Sequence, residues 1–187
     1  SSRFAMKAEA AGCDAVVAEG FEAGGHNGRE ETTSMVLVPA VSSAVKIPVI
    51  AAGGIATGRQ MFAAMALGAE GVQVGTRFVA SEEASSHANF KSALVKSGEG
   101  DTMLCLKKLV AVRLMKNKFF DEVLAAEQRG ASEDELRTLL GRARAKKGMF
   151  EGDLDEGELE IGQVSSLVKD ILPAEKILRN LWSEFVS

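Results

Sequence analysis

Tyrosine is absent from this chain, and aromatic residues make up only 5% of it. That disfavours a stacking surface for single-stranded nucleic acid. A net charge of -4 argues against general attraction to phosphate backbones. Cysteine is scarce: Cys13 and Cys105 supply neither a disulfide framework nor metal-ligand spacing. No His/Asp/Glu cluster suggests a metal. No run approaches the roughly 18 unbroken apolar residues of a membrane span, and Ser1–Gly12 lacks the apolar core of a signal peptide. These absences predict a reducing, cytoplasmic setting. An initiator Met is also missing, and Ser1-Ser2 passes at once into a helix-like stretch with no strand before it. That predicts a piece of something longer. What remains is ordinary for a globular protein: 187 residues, 46% hydrophobic and 26% charged, enough for one domain or a little more.

Along the chain, three segments repeat one pattern. Asp14–Glu19 is a short Val-rich run, expected to be a strand buried on both faces. A polar loop follows from Gly20 to Ser34. Met35–Val45 reads as a helix, with Pro39 tolerated in its first turn. Ile47–Ala52 is the second buried strand, broken by Gly53-Gly54, and Gly58–Leu67 is the next helix. Gly71–Val74 is the third strand, ending in Gly75-Thr76-Arg77-Phe78. Ser81–Lys96 reads as helical with a break near His87–Asn89. Strand, loop and helix repeated this way predict a parallel sheet with right-handed crossovers. Neither glycine pair completes a GxGxxG fingerprint, so a dinucleotide-binding sheet is not supported. Two successive strand-end glycine turns instead suit the phosphate site that (β/α)8 barrels build after their last two strands. The predicted fold class is therefore α/β: the C-terminal half of a TIM (β/α)8 barrel, about three βα units, with a helical C-terminal extension. A whole barrel takes about 250 residues.

Residues 1–100 carry that pattern, and residues 101–187 read as the extension, long enough to cover a barrel mouth. Within it, Thr102–Leu106 reads as a short extended segment. Leu109–Asn117 reads as a helix with basic residues in and just after it (Arg113, Lys116, Lys118). Phe119–Arg129 is a helix, and Ser132 with Glu135 forms a capping box for the next. Ile161–Val168 is an apolar turn or short helix, and Pro173–Phe185 is a closing amphipathic helix.

The chemistry-bearing residues lie at the strand ends. His26 sits among Gly24, Gly25 and Gly28; a histidine there titrates near neutral pH and can take a proton from a carbon acid. Gly53-Gly54 and Gly75-Thr76 offer clustered backbone N–H groups and one hydroxyl, which bind phosphate without a lysine. Arg77 is placed either to add charge there or to form a structural ion pair. Glu19 and Glu22 read as solvated, Thr32 or Thr33 as an N-cap, and His87 as a helix cap. Cys13 reads as inert packing, and Cys105 has nothing nearby that makes it a nucleophile.

The run Ala18-Glu19-Gly20-Phe21-Glu22-Ala23-Gly24-Gly25-His26-Asn27-Gly28 resembles the histidine loop of the nitronate monooxygenases, formerly 2-nitropropane dioxygenases. It is similarly close to their sister group, the FMN-dependent enoyl-acyl-carrier-protein reductase II enzymes. Pro48–Ile55 and Gly71–Phe78 resemble that family's two phosphate turns, in order and correctly spaced. Val112–Asn117 and Ile161–Val164 resemble its C-terminal segments more weakly. The resemblance implies an FMN-binding barrel, with cofactor-binding positions at Ala23, Gly24, Gly25, Gly53, Gly54, Gly75 and Thr76 and the catalytic histidine at His26. It implies oxidation of nitronates or nitroalkanes by oxygen to a carbonyl and nitrite. The alternative is NAD(P)H-dependent reduction of an enoyl thioester. The barrel strands that would lie under the flavin ring are not among these residues. A non-enzyme reading is an incomplete barrel fragment without activity on its own. An IMP-dehydrogenase-like barrel needs a reactive cysteine on a late strand loop, and none of the three loops has one. A homodimer follows by analogy only.

Overall fold

The computed structural model describes residues 1–187. Its first half holds α1 (Ser2–Ala10), β1 (Val16–Glu19), β2 (Gly25–His26), α2 (Ser34–Ser42), β3 (Val49–Ala52), α3 (Gly58–Ala66), β4 (Gly71–Gln73), α4 (Thr76–Val79) and α5 (Ala88–Lys96). The second half adds β5 (Thr102–Cys105), β6 (Val112–Met115), α6 (Lys118–Gln128), α7 (Glu133–Leu140) and α8 (Ala174–Val186). A 3-10 turn spans Gln163–Leu167. No helix is long and apolar enough to cross a membrane.

β1, β3 and β4 form a parallel sheet in that order, with Glu19 beside Ala52 and Ala52 beside Gln73. The strand order never reverses, so right-handed crossovers put every helix on one face. Ala18, Val49 and Ala51 accordingly pack with Ala5 of α1, Leu37, Val38 and Val41 of α2, and Ala64 of α3. That is an α/β fold wound in one direction only, unlike a doubly wound sheet. The opposite face carries Val17, which is 49% exposed. β1 is thus not buried on both faces as its composition suggested: it is an edge strand with helices on one side only.

Several local expectations are corrected. Pro39 lies in the middle of α2, not its first turn. The helix survives the missing N–H because Leu37, Val38 and Val41 anchor it on the sheet. Thr33 occupies the α2 N-cap without a side-chain bond. The carboxylate of Glu22 takes that role, accepting from Ser34 N–H at 3.0 Å and Ser34 Oγ at 2.7 Å. Glu22 is therefore not merely solvated. Residues 81–87 are not helical, and His87 caps α5 by accepting from Asn89 N–H at 3.1 Å. Cys13 is exposed rather than packed.

The larger correction concerns the second half. Leu109–Asn117 contains a strand, β6, rather than a helix. β6 is the centre of an antiparallel sheet, β2-β6-β5, and all four of its residues are buried. Arg113, expected as a basic residue of that helix, lies on the strand and is 1% exposed. Long-range pairing with β5 and β2 overrides local pattern here. The 101–187 stretch is therefore mixed rather than wholly helical. α6 and α7 cover this sheet through Phe119, Phe120, Val123 and Leu136. The Ser132–Glu135 capping box forms as expected. α8 closes the chain against α3. Glu184 accepts the Gly58 N–H at 2.9 Å at the α3 N-terminus, and a Cβ on Gly58 would lie 2.5 Å from Phe185 N.

Candidate functional site

A cavity of about 220 Å³ opens at the C-terminal ends of β1, β3 and β4. Both architectures compatible with a parallel βα sheet place ligands there. Ala23, Gly24, Gly53, Gly54, Gly75 and Thr76 all line it. Gly25 and His26 do not.

The glycines are there for backbone reasons. Gly53 and Gly54 have φ of +85° and +73°, which side chains resist. A Cβ on Gly53 would lie 2.8 Å from the carbonyl oxygen of Gly20. A Cβ on Gly24 would lie 2.5 Å from Gly162 N and 2.6 Å from Ile161 Cα. The turn Ile161-Gly162-Gln163 is thereby pressed onto the loop. Gln163 N–H donates to Glu22 O at 2.9 Å, and Gly162 N–H donates to Thr76 Oγ1 at 3.1 Å. The Thr76 hydroxyl proton stays free to donate elsewhere.

The decisive feature is a set of free donors. The backbone N–H groups of Gly24, Gly53, Gly54, Ile55, Gly75 and Thr76 donate to no protein acceptor, and all six residues line the cavity. Buried or half-buried amides are normally paired. Five of these six residues are buried or half-buried and Gly75 is exposed; a nest of unpaired amides grouped around one cavity suits an anion. No Lys or Arg lines it, so the nest would hold charge through dipoles alone. Arg77 belongs to the structure instead. It is 8% exposed and donates through Nη2 to Asp170 Oδ1 at 2.6 Å and through Nη1 to Asp170 O at 2.9 Å.

Below the nest lies a layer of three side chains in register, Glu19, Ala52 and Gln73, all lining the cavity. Glu19 and Gln73 offer acceptors and donors for hydroxyl groups, with the small Ala52 leaving room between them. Burial pushes the Glu19 carboxyl above its ordinary value. Glu160, from the second half, lines the same cavity. Glu19 is exposed, as its solvated reading expects, yet it lines the cavity, while Gln73 and Glu160 carried no expectation. The period-2 alternation Val17, Glu19 against Ala18 was the signal that marked Glu19 as facing away from the helices. Nothing local marked Glu160.

His26 is exposed and lies on β2, two residues past the cavity-lining Gly24. Its backbone is set by the second half of the chain. Gly25 pairs with Arg113 and His26 with Val112, and Asn27 N–H donates to Ala111 O at 2.8 Å. Asn27 Nδ2 ties the loop to itself, donating to Ala23 O at 2.9 Å and Gly25 O at 3.1 Å. Elsewhere, Cys105 is buried and its thiol is pushed up to about 12 by burial and by the charges of Glu127 and Glu158. No group of three or more His, Cys, Asp or Glu is placed to hold a metal ion.

Fold and site together define an α/β protein with a cluster of unpaired backbone amides around a cavity at the C-terminal ends of parallel strands. The family model for nitronate monooxygenase matches residues 1–184, and the chain belongs to that family of oxidoreductases. A probable nitronate monooxygenase of Staphylococcus aureus strain JH9 is 35% identical over 96% of this chain and 46% of its own length. The structure of FabK from Thermotoga maritima superposes with a TM-score of 0.93 and 42% identity, covering all of this chain and 58% of that one. A nitroalkane oxidase from Streptomyces ansochromogenes gives a TM-score of 0.79 and 33% identity, covering all of this chain and 55% of that one. The chain thus spans about half the length of the relatives it matches.

Proposed function

We propose that this chain forms the phosphate-binding part of an FMN-dependent oxidoreductase that acts on nitronates or nitroalkanes. The carrying observation is the nest of six unpaired backbone amides at one cavity. In this reading residues 1–100 are the C-terminal part of a TIM barrel and residues 101–187 an extension over its mouth. The cavity, about 220 Å³, falls below the roughly 300 Å³ at the small end of whole-ligand sites. It suits the anionic end of a flavin nucleotide rather than all of it.

The residues present fit that group. The amides of Gly24, Gly53, Gly54, Gly75 and Thr76 would hold the phosphate, with Ala23 lining the approach and Gly25 giving the turn its shape. Gly25 has φ of +76°. Glu19 and Gln73 would accept and donate to the hydroxyls of the adjoining polyol. When bound, FMN supplies the two-electron acceptor of the reaction. His26 takes the proton from the carbon bearing the nitro group onto a free imidazole nitrogen. For a substrate already ionised as the nitronate, the protonated imidazole instead pairs with the nitro oxygens.

A second reading has its own support. The 0.93 TM-score to FabK favours an enoyl-thioester reductase, with NAD(P)H as electron donor. Nitronate-dependent oxygen uptake against NAD(P)H-dependent enoyl-thioester reduction, assayed on a chain of the relatives' length, separates the two. The role of His26 is tested by His26→Asn: flavin binding is retained and turnover of neutral nitroalkane falls by about 10²–10⁴-fold, the usual worth of a general base. Unchanged turnover removes His26 from that role.

A further inference from the structure

Arg113 is the largest fully buried side chain of the molecule, 1% exposed in the middle of β6. A buried guanidinium normally has a carboxylate partner. Arg113 forms no ion pair. Its side-chain bonds run to one atom: Nε and Nη2 donate to the carbonyl oxygen of Phe21 at 3.2 and 2.8 Å. Its Cζ also lies 4.5 Å from the centroid of the Phe21 ring. Beyond hydrogen-bond range the charges of Glu22 and Glu31 oppose the cost of burial, and the guanidinium's donors are directed at one backbone carbonyl 92 residues earlier in the chain. A hydrophobic residue would fill β6 at lower cost. The gripped carbonyl opens the segment Phe21–Asn27, which carries Gly24 into the cavity and His26 onto β2. The next pair along β6 is Gly25 with Arg113 itself.

We propose that Arg113 is a positioning residue, a latch through which the second half of the chain sets the loop bearing the Gly24 amide and His26. The proposal rests on the reading of that loop as cofactor-binding and catalytic, but the latch can be tested without it. By geometry, the fork supplies two donors to one acceptor, the Phe21 carbonyl oxygen; the ring beside the guanidinium adds packing that the latch does not require. Lysine keeps the charge and one donor but neither the fork nor the stack. Methionine keeps the stem alone.

The test uses three variants of the chain: Arg113→Met, Arg113→Lys and Phe21→Leu. Backbone amide exchange is followed at residues 24–27 and, as an internal control, at the sheet residues 49–52. FMN affinity is followed by quenching of flavin fluorescence on a chain of the relatives' length, and the His26 ring environment by NMR chemical shift. Arg113→Met is expected to speed exchange at residues 24–27 by at least about tenfold relative to residues 49–52, with a weakened flavin affinity and shifted His26 ring resonances. Arg113→Lys should recover part of each. Phe21→Leu keeps the carbonyl acceptor and should stay near the wild type. If Arg113→Met leaves exchange at 24–27 in step with 49–52, the latch is refuted. It is also refuted if Phe21→Leu loosens the loop as much as Arg113→Met, because ring packing then holds the loop. If Arg113→Met does not fold, the comparison of Arg113→Lys with Phe21→Leu decides by the same criteria. A wild-type protein of the relatives' length that binds no FMN overturns the cofactor reading alone, since the exchange comparison needs no flavin and still judges the latch.

Discussion

The contact between Gly24 and the Ile161-Gly162 turn makes a quantitative prediction about how the two halves of the chain are joined. A methyl group at position 24 would sit 2.5 Å from Gly162 N and 2.6 Å from Ile161 Cα. Both are backbone atoms and cannot rotate aside. Overpacking typically costs about 1–3 kcal/mol, and a clash with backbone belongs to the upper part of that range, about 2–3 kcal/mol. For a chain of this size about 1 kcal/mol moves the midpoint by 2–4 °C, so Gly24→Ala should melt roughly 4–12 °C lower. Gly75 provides the control. A Cβ there meets nothing within 4 Å, and its φ of -94° suits any residue. Gly75→Ala should keep stability within about 0.5 kcal/mol. It lines the same cavity, so its flavin affinity should drop about tenfold, roughly 1.4 kcal/mol. Calorimetry and fluorescence titration on both variants check this. A Gly24→Ala protein that melts with the wild type would refute the claim that backbone contact, rather than side-chain packing, seats the Ile161-Gly162 turn on the loop.

Glu158 is buried beside Glu160, and burial followed by that like charge raises its carboxyl from 4.5 to about 7, against an opposing pull from Arg144. An acid whose folded value is raised binds more protons folded than unfolded, so the folded state should lose stability as pH rises from about 4.5 to about 7. Glu158→Gln should flatten the melting temperature across that window. Native alkylation at pH 8 should label the exposed Cys13 and spare the buried Cys105, whose thiol is pushed up to about 12, while unfolding should expose both; mass spectrometry reads the count. Asp170→Asn should weaken the hold on the buried Arg77 and cost about 1–2 kcal/mol in chemical denaturation. That is below the 3–5 kcal/mol of a fully buried pair because the Asp170 carboxylate is 59% exposed. Flavin affinity should stay within about twofold, since Arg77 belongs to that ion pair and not to the nest.

The three parallel strands, their order and the glycine turns at their ends were legible in the amino-acid sequence. Each is a local signal: a short apolar run ended by residues that permit positive φ. The Ser132–Glu135 capping box and the His87 cap were legible for the same reason, because both partners lie within three residues; the equivalent Thr57–Gln60 box went unread. Six of the seven expected cofactor-binding residues meet at one cavity, since strand ends of a parallel sheet must lie side by side. Tertiary structure alone decided the rest. β6 has a sequence that suits a helix equally well, and only its pairing with β5 and with Gly25-His26 makes it a strand. Arg113 is only a basic residue of an expected helix until its burial against Phe21 is seen. Glu160 and the Ile161-Gly162 turn reach the cavity from more than 130 positions beyond Gly24. Local patterns encode where the chain turns and which face is apolar; contacts between distant segments carry no local signature, and here they set the loop that holds His26.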